Sequence, residues 1–150
     1  MHSLASQLEI LINDYLLQLK TINEEQLSHK PSPAKWSKKE IIGHLIDSAQ
    51  NNIRRFVVAQ YEDTPAITYN QDKWVAICNY QNMDSPLIIQ LWYLVNKQII
   101  SILKNTPTDM AQHTCNNGNI HTIEWLAEDY IKHLKHHVHY TLGLEPVAYP

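Results

Sequence analysis

Four stretches of this chain repeat their apolar residues every three to four positions, and the prolines fall mainly between those stretches or just inside their starts. A 3.6-residue repeat marks an amphipathic helix, and proline in a helix interior removes a hydrogen bond and clashes with the preceding turn. The pattern predicts an all-α chain whose four long helices pack as a four-helix bundle. The first segment runs from about Ser3 to Leu27, with Leu4, Leu8, Leu11, Ile12, Tyr15, Leu19 and Ile22 on its stripe. Pro31 and Pro33 then break the pattern. Ser37 to Glu40 reads as a capping box, in which Ser37 accepts from the third helical amide and Glu40 reaches back to the cap. Behind it, Ile41, Ile42, Leu45, Ile46, Ala49, Ile53, Phe56 and Val57 carry a second helix to about Gln60. The connection from Tyr61 to Asp84 is irregular, apart from a short extra helix expected over Gln71 to Asn79. Ser85 is the expected cap of the third helix, with Pro86 at its first position. That helix ends near Thr106-Pro107, and the polar stretch from Thr108 to His121 holds a turn at Asn116-Asn119. Thr122 should cap the fourth helix and Gly143 should end it, leaving LEPVAYP as a tail.

Composition narrows the function classes. One hundred and fifty residues suit one domain spanning 1–150 with a real core. The formal net charge is −3 and the basic residues form no dense block, so nucleic acid is not an expected partner. Gln90 and Asn96 interrupt the most apolar run, so no membrane span is expected. MHSLASQLEI is a mixed amphipathic start rather than a leader, and Cys78 and Cys115 lie in no paired motif. A cytoplasmic protein with free thiols is expected.

Chemistry concentrates in YIKHLKHHVHY, which holds four of the nine histidines. On a helix, His133 and His137 project from the same face one turn apart, a spacing that lets two imidazoles reach one metal ion. The alternative is a histidine-rich solvent face at a helix end, where positive charge suits the dipole. At about 100° per residue, His137 lies about 60° and His133 about 100° from the centre of the apolar stripe. His136 and His139 lie about 160° and 140° away and should face water. The pair thus sits on the shoulder of the buried face, where a cleft edge belongs. His44, on the second helix, lies about 150° from its stripe, beside Ser48, Asn51 and Arg55. Periodicity leaves it either on the surface or on the wall of a polar cleft.

Three motifs, KWSKKEIIGHLIDSAQNNIRRF, YNQDKW and TIEWLAEDYIKHLKHHVHY, resemble the DinB-like family and its YfiT-type metal-binding members over nearly the whole chain. The resemblance implies a bundle in which His44, His133 and His137 bind one divalent metal, zinc or nickel most commonly. It makes the polar stripe of the second helix a cleft wall and leaves His136 outside the ligand set. It further implies a metal-dependent hydrolase or a transferase of low-molecular-weight thiols, with a small-molecule substrate and a homodimer as the expected partners. Three imidazoles leave a fourth position open for water, thiol or substrate. A metal- or ligand-binding bundle without catalysis is the alternative. Asp47 and Asp129, each about one turn from a histidine, can orient the imidazoles, or are solvated charges or ion-pair partners of Arg54 or Lys132. Asn51, Trp74 and Trp92 are candidates for substrate contact, although Trp92 lies on an apolar stripe. No general acid or base stands out.

Overall fold

Side-chain caps set where every α-helix after the first begins. The computed structural model describes residues 1–149. Its long helices are α1 (His2–Leu19), α3 (Lys38–Val58), α5 (Ser85–Asn105) and α6 (Ile123–Leu142), with α2 (Glu24–Ser28) and α4 (Gln71–Cys78) as short ones. The Ser37/Glu40 box closes reciprocally at the start of α3, and Thr122 accepts from Trp125 N at the start of α6. Gly143, in the left-handed region at φ 70°, ends α6 as expected.

Three expectations are corrected. The first segment is two helices, not one: Asn23 stops the run and forms a box with Gln26 that starts α2. The cap of α5 is Asp84, whose carboxylate accepts from Leu87 N at 3.3 Å. Ser85 instead donates to Glu24 at 2.5 Å, because the acid is the stronger acceptor. The polar stretch before α6 is a small hairpin, in which β1 (Thr114–Asn116) pairs antiparallel with β2 (Ile120–Thr122) around Gly118 at φ 119°.

The apolar stripes meet in one core that includes Leu8, Ile12, Phe56, Trp92, Ile99, Leu103 and Leu134. The packing order is not the chain order. α1 packs on α5 and α6, and α3 packs on α5 and α6, so α1 and α3 sit diagonally. This places α3 against the histidine-bearing α6, although 64 residues separate their ends. By length and composition α5 could cross a membrane. Its Ile88, Trp92, Ile99 and Leu103 are buried in the bundle, and buried Asn96 accepts from Tyr130 Oη at 2.7 Å.

Gly43 admits the Tyr80 ring against α3, where an added Cβ would overlap the ring itself. Tyr80 in turn donates to the buried Asp47. Gly43→Ala should therefore destabilise the protein by about 1–3 kcal/mol, despite the better helix propensity of alanine. Urea unfolding measures this, and a stabilised variant would show that Tyr80 moves aside freely.

Candidate metal centre

The face of α3 opposite its apolar stripe carries His44, Asp47, Ser48, Asn51, Asn52 and Arg55, and all six are buried. Periodicity could not separate surface from cleft for His44; the ring is 1% exposed, so the polar stripe is a cleft wall. The reason lies in the packing order, since α3 is covered from both sides. Trp36, just before the cap, lays its indole on the His44 ring with centroids 5.1 Å apart.

From α6, His133 and His137 turn into the same cleft. The His44 and His133 Nε2 atoms stand 3.1 Å apart, and one ligand nitrogen from each of His44, His133 and His137 falls within 4.8 Å of the others. A tetrahedral zinc with Zn–N near 2.05 Å sets its nitrogens roughly 3.3 Å apart, so the 44–133 pair already has ligand spacing. Ser48 Oγ lies 3.5 Å from His133 Nδ1, so a hydroxyl faces the ring nitrogen that does not approach His44. His44 Nδ1 is buried with no protein partner. Among the described residues, these three histidines are the group with metal-ligand spacing.

Electrostatics favour the neutral, ligating form. Burial pulls the His44 imidazole down from 6.5 to about 4, with Asp72 opposing the shift. His137 falls to about 4 and His133 to about 2, burial being the main cause and neighbouring imidazoles adding to it. A neutral imidazole is the form that binds a metal.

The other candidates disperse. His136 and His139 do not simply face water: each is half-buried, with Nδ1 on Val147 O at 2.6 Å and on Glu145 O at 2.7 Å. His139 Nε2 also meets Tyr15 Oη at 2.8 Å. Asp47 is held by Tyr80 rather than by an imidazole, and Asn51 donates to the Asp47 carbonyl at 2.9 Å. Asp129 makes no ion pair with Arg54 or Lys132; both its oxygens accept from Tyr149 Oη. Trp74 packs edge-on to Tyr69 along a separate, mostly apolar cavity, and Trp92 is fully buried in the core. Sequence reasoning missed Trp36 and Tyr149 as neighbours of the triad, and placed Ser48 beside His44 without pairing it with His133. Nothing local signals that the tail returns the Tyr149 ring to 5.1 Å, centroid to centroid, from the His133 ring.

A cavity of about 440 Å³ opens beside His137 and is lined by Lys35, Trp36, Ile41, Asp72, His136 and Tyr140. A second, of about 190 Å³, lies on the His133 side. The centre thus sits between an open mouth and a small polar recess.

The sequence model described as the DinB superfamily matches residues 7–141, a span that includes all three histidines. The chain belongs to the DinB superfamily. A protein of Halalkalibacterium halodurans named "Putative metal-dependent hydrolase BH0277" is 26% identical over 121 residues, covering 79% of this chain and 70% of that one. An Oceanobacillus iheyensis protein with the same description is 24% identical over 144 residues, covering 89% and 83%. The solved structure of YfiT from Bacillus subtilis, titled "a probable metal-dependent hydrolase with an unusual four-helix bundle topology", aligns with a TM-score of 0.68 at 18% identity, over 94% of this chain and 89% of that one. The bundle of this chain is thus similar in fold to that of YfiT over nearly its whole length.

Buried neutral histidines in this DinB superfamily member set a sign for its pH dependence. Their folded pKa values lie below the unfolded 6.5, so the unfolded chain takes up protons first. Their contribution to stability is complete above pH 6.5 and declines as pH falls toward 4. Asp47 acts oppositely: burial pushes its carboxyl up from 3.8 to about 6, so its contribution is lost as pH rises through that range. In metal-free protein, the urea midpoint of a His44→Asn/His137→Asn double variant should fall less between pH 6.5 and 4 than that of the wild type. Asp47→Asn should make the fall steeper, and equal slopes in all three would count against buried neutral imidazoles.

Proposed function

We propose that this chain is a divalent-metal-dependent hydrolase of small molecules, with zinc or nickel held by His44, His133 and His137. One observation carries the reading: three neutral imidazoles from two helices, His44 buried and His133 and His137 half-buried, gather beside an open cavity. Three protein nitrogens form the donor set of a catalytic zinc, because a fourth position then remains for water or substrate. When bound, the ion supplies Lewis acidity and brings the pKa of a coordinated water or thiol toward neutrality.

The chain's own residues divide the remaining work. Trp36 packs on His44 and, with Ile41, gives the mouth one apolar wall. Lys35 places a positive charge at the rim, suited to orienting a polar substrate. Asp72 is the carboxylate lining this mouth, and its charge is felt at His44. We assign it as the proton acceptor during hydrolysis. The names of the relatives favour hydrolysis over thiol transfer. Neither cysteine lines the mouth: Cys115 is buried with Sγ donating to Pro65 O, and Cys78 borders the other, apolar cavity. Transfer chemistry would therefore need a thiol supplied by a small molecule.

Metal analysis should be run on untagged protein, since a histidine tag would add ligands. His133→Ala should lose most bound metal, whereas His136→Ala, whose ring is tied to the tail, should keep it; equal loss would overturn the ligand assignment. Asp72→Asn should retain the metal and lower kcat/KM by about a hundred-fold. Ester and amide panels with zinc, nickel and manganese should run beside thiol-conjugation assays. Activity in conjugation alone would assign the transferase, and inactivity in both would assign a metal-binding bundle without catalysis.

A further inference from the structure

The small recess beside His133 is built differently from the open mouth. Its volume is about 190 Å³, and its walls include Ser48, Asn52, Arg55, Asp129, His133 and Tyr149. Arg55 is the unusual member. It is 7% exposed, and among the described residues no carboxylate comes within ion-pair distance of it. Its Nε and Nη2 donate to Ile67 O at 3.1 and 3.0 Å, and Nη1 donates to Asn52 Oδ1 at 3.3 Å. A guanidinium carries five N–H groups, so two are left without a protein acceptor. The Tyr69 ring, 5.9 Å from the guanidinium carbon, supports it from one side. Asp129, across the recess, is a counter-charge beyond ion-pair distance, and a buried cation held only so loosely gains when an anion arrives beside it.

A polar relay ties this arginine to the triad. Asn52 accepts from Arg55 and donates to the Ser48 carbonyl at 2.9 Å, and Ser48 Oγ faces His133 Nδ1. His44, Ser48, Asn52 and Arg55 lie on one face of α3 at successive turns, so the recess and the triad share a wall.

We propose that this recess is a substrate subsite for a carboxylate, with Arg55 as the residue that binds it. As part of a substrate site the inference rests on the hydrolase reading; as an anion site it stands on Arg55 alone. It gives the substrate class as a small carboxylic acid whose hydrolysable bond lies on the metal side of the acid group. Size suits a carboxylate, since the recess holds a few water-sized groups and not a whole ligand. Charge favours a carboxylate over a phosphate. Asp129 already places one negative charge at the edge, and a dianion would be repelled more than a monoanion.

The test is an acetate titration of the full chain, metal-free and zinc-loaded, followed by NMR at the Arg55 Nε–H and the Asn52 side-chain amide. Acetate should shift both signals saturably in both forms, with neutral acetamide roughly ten-fold weaker. Arg55→Gln should abolish the Asn52 shift, and Arg55→Lys should retain it with affinity weakened several-fold. Should Arg55→Gln fail to fold, Asp129→Asn reads the same site without touching the arginine: acetate should bind about three-fold tighter once the nearby charge is gone. Signals unmoved by acetate, acetamide binding as well as acetate, or inorganic phosphate binding ten-fold tighter than acetate would each overturn the subsite. Zinc failing to bind while acetate still moves Arg55 would overturn the metal reading and leave the anion site intact. Zinc bound with Arg55 unmoved would do the reverse.

Discussion

Everything distinctive in this molecule follows from burying the polar face of one helix. A lone amphipathic helix turns such a face to water. Here α3 is enclosed between α5 and α6, and six polar side chains are taken out of solvent along about three turns. Desolvation on that scale is tolerated only where partners replace water. Most of the partners are visible: Tyr80 for Asp47, the Ile67 carbonyl for Arg55, helix carbonyls for Asn51 and Asn52. What stays unmatched is informative, namely His44 Nδ1, Asp47 Oδ2, Asn51 Oδ1 and two arginine protons.

The same enclosure gives the histidines their character. In water, three imidazoles a few ångströms apart would share protons near pH 6.5. Under burial they repel protons instead and present lone pairs. The mouth and the recess then divide the cleft by polarity. Trp36 and Ile41 give one end an apolar wall beside Lys35 and Asp72, and the Arg55–Asn52–Ser48 chain organises the other. A metal reading and an anion reading thus draw on one device, the polar stripe of α3.

Much of the fold was legible because its signals are local. Apolar period, the Ser37/Glu40 box, Thr122 and Gly143 mark the helices within a turn or so of where they lie. The missed break at Asn23 was also local, hidden because Ile22 and Leu27 keep the apolar period running through it. The site was legible in part. Helical spacing paired His133 with His137, and the angular argument set His136 apart. It could not resolve His44, since a hydrophobic stripe finds one buried face and α3 has two. Resemblance to a family supplied that histidine, and the structure supplies the physical reason. The hydrogen-bond partners of Asp47 and Asp129 were not legible, because Tyr80 and Tyr149 arrive from 33 and 20 positions away. No window along the sequence contains both members of either pair.

The diagonal arrangement of α1 and α3 has a consequence for how the protein is made. His44 and His133 are 89 positions apart, and both His133 and His137 lie in α6. A nascent chain emerging from the ribosome therefore presents a single member of the triad until α6 has been synthesised. Capture of an ion during translation is thereby postponed, and the cleft can be charged only once the bundle has closed around it.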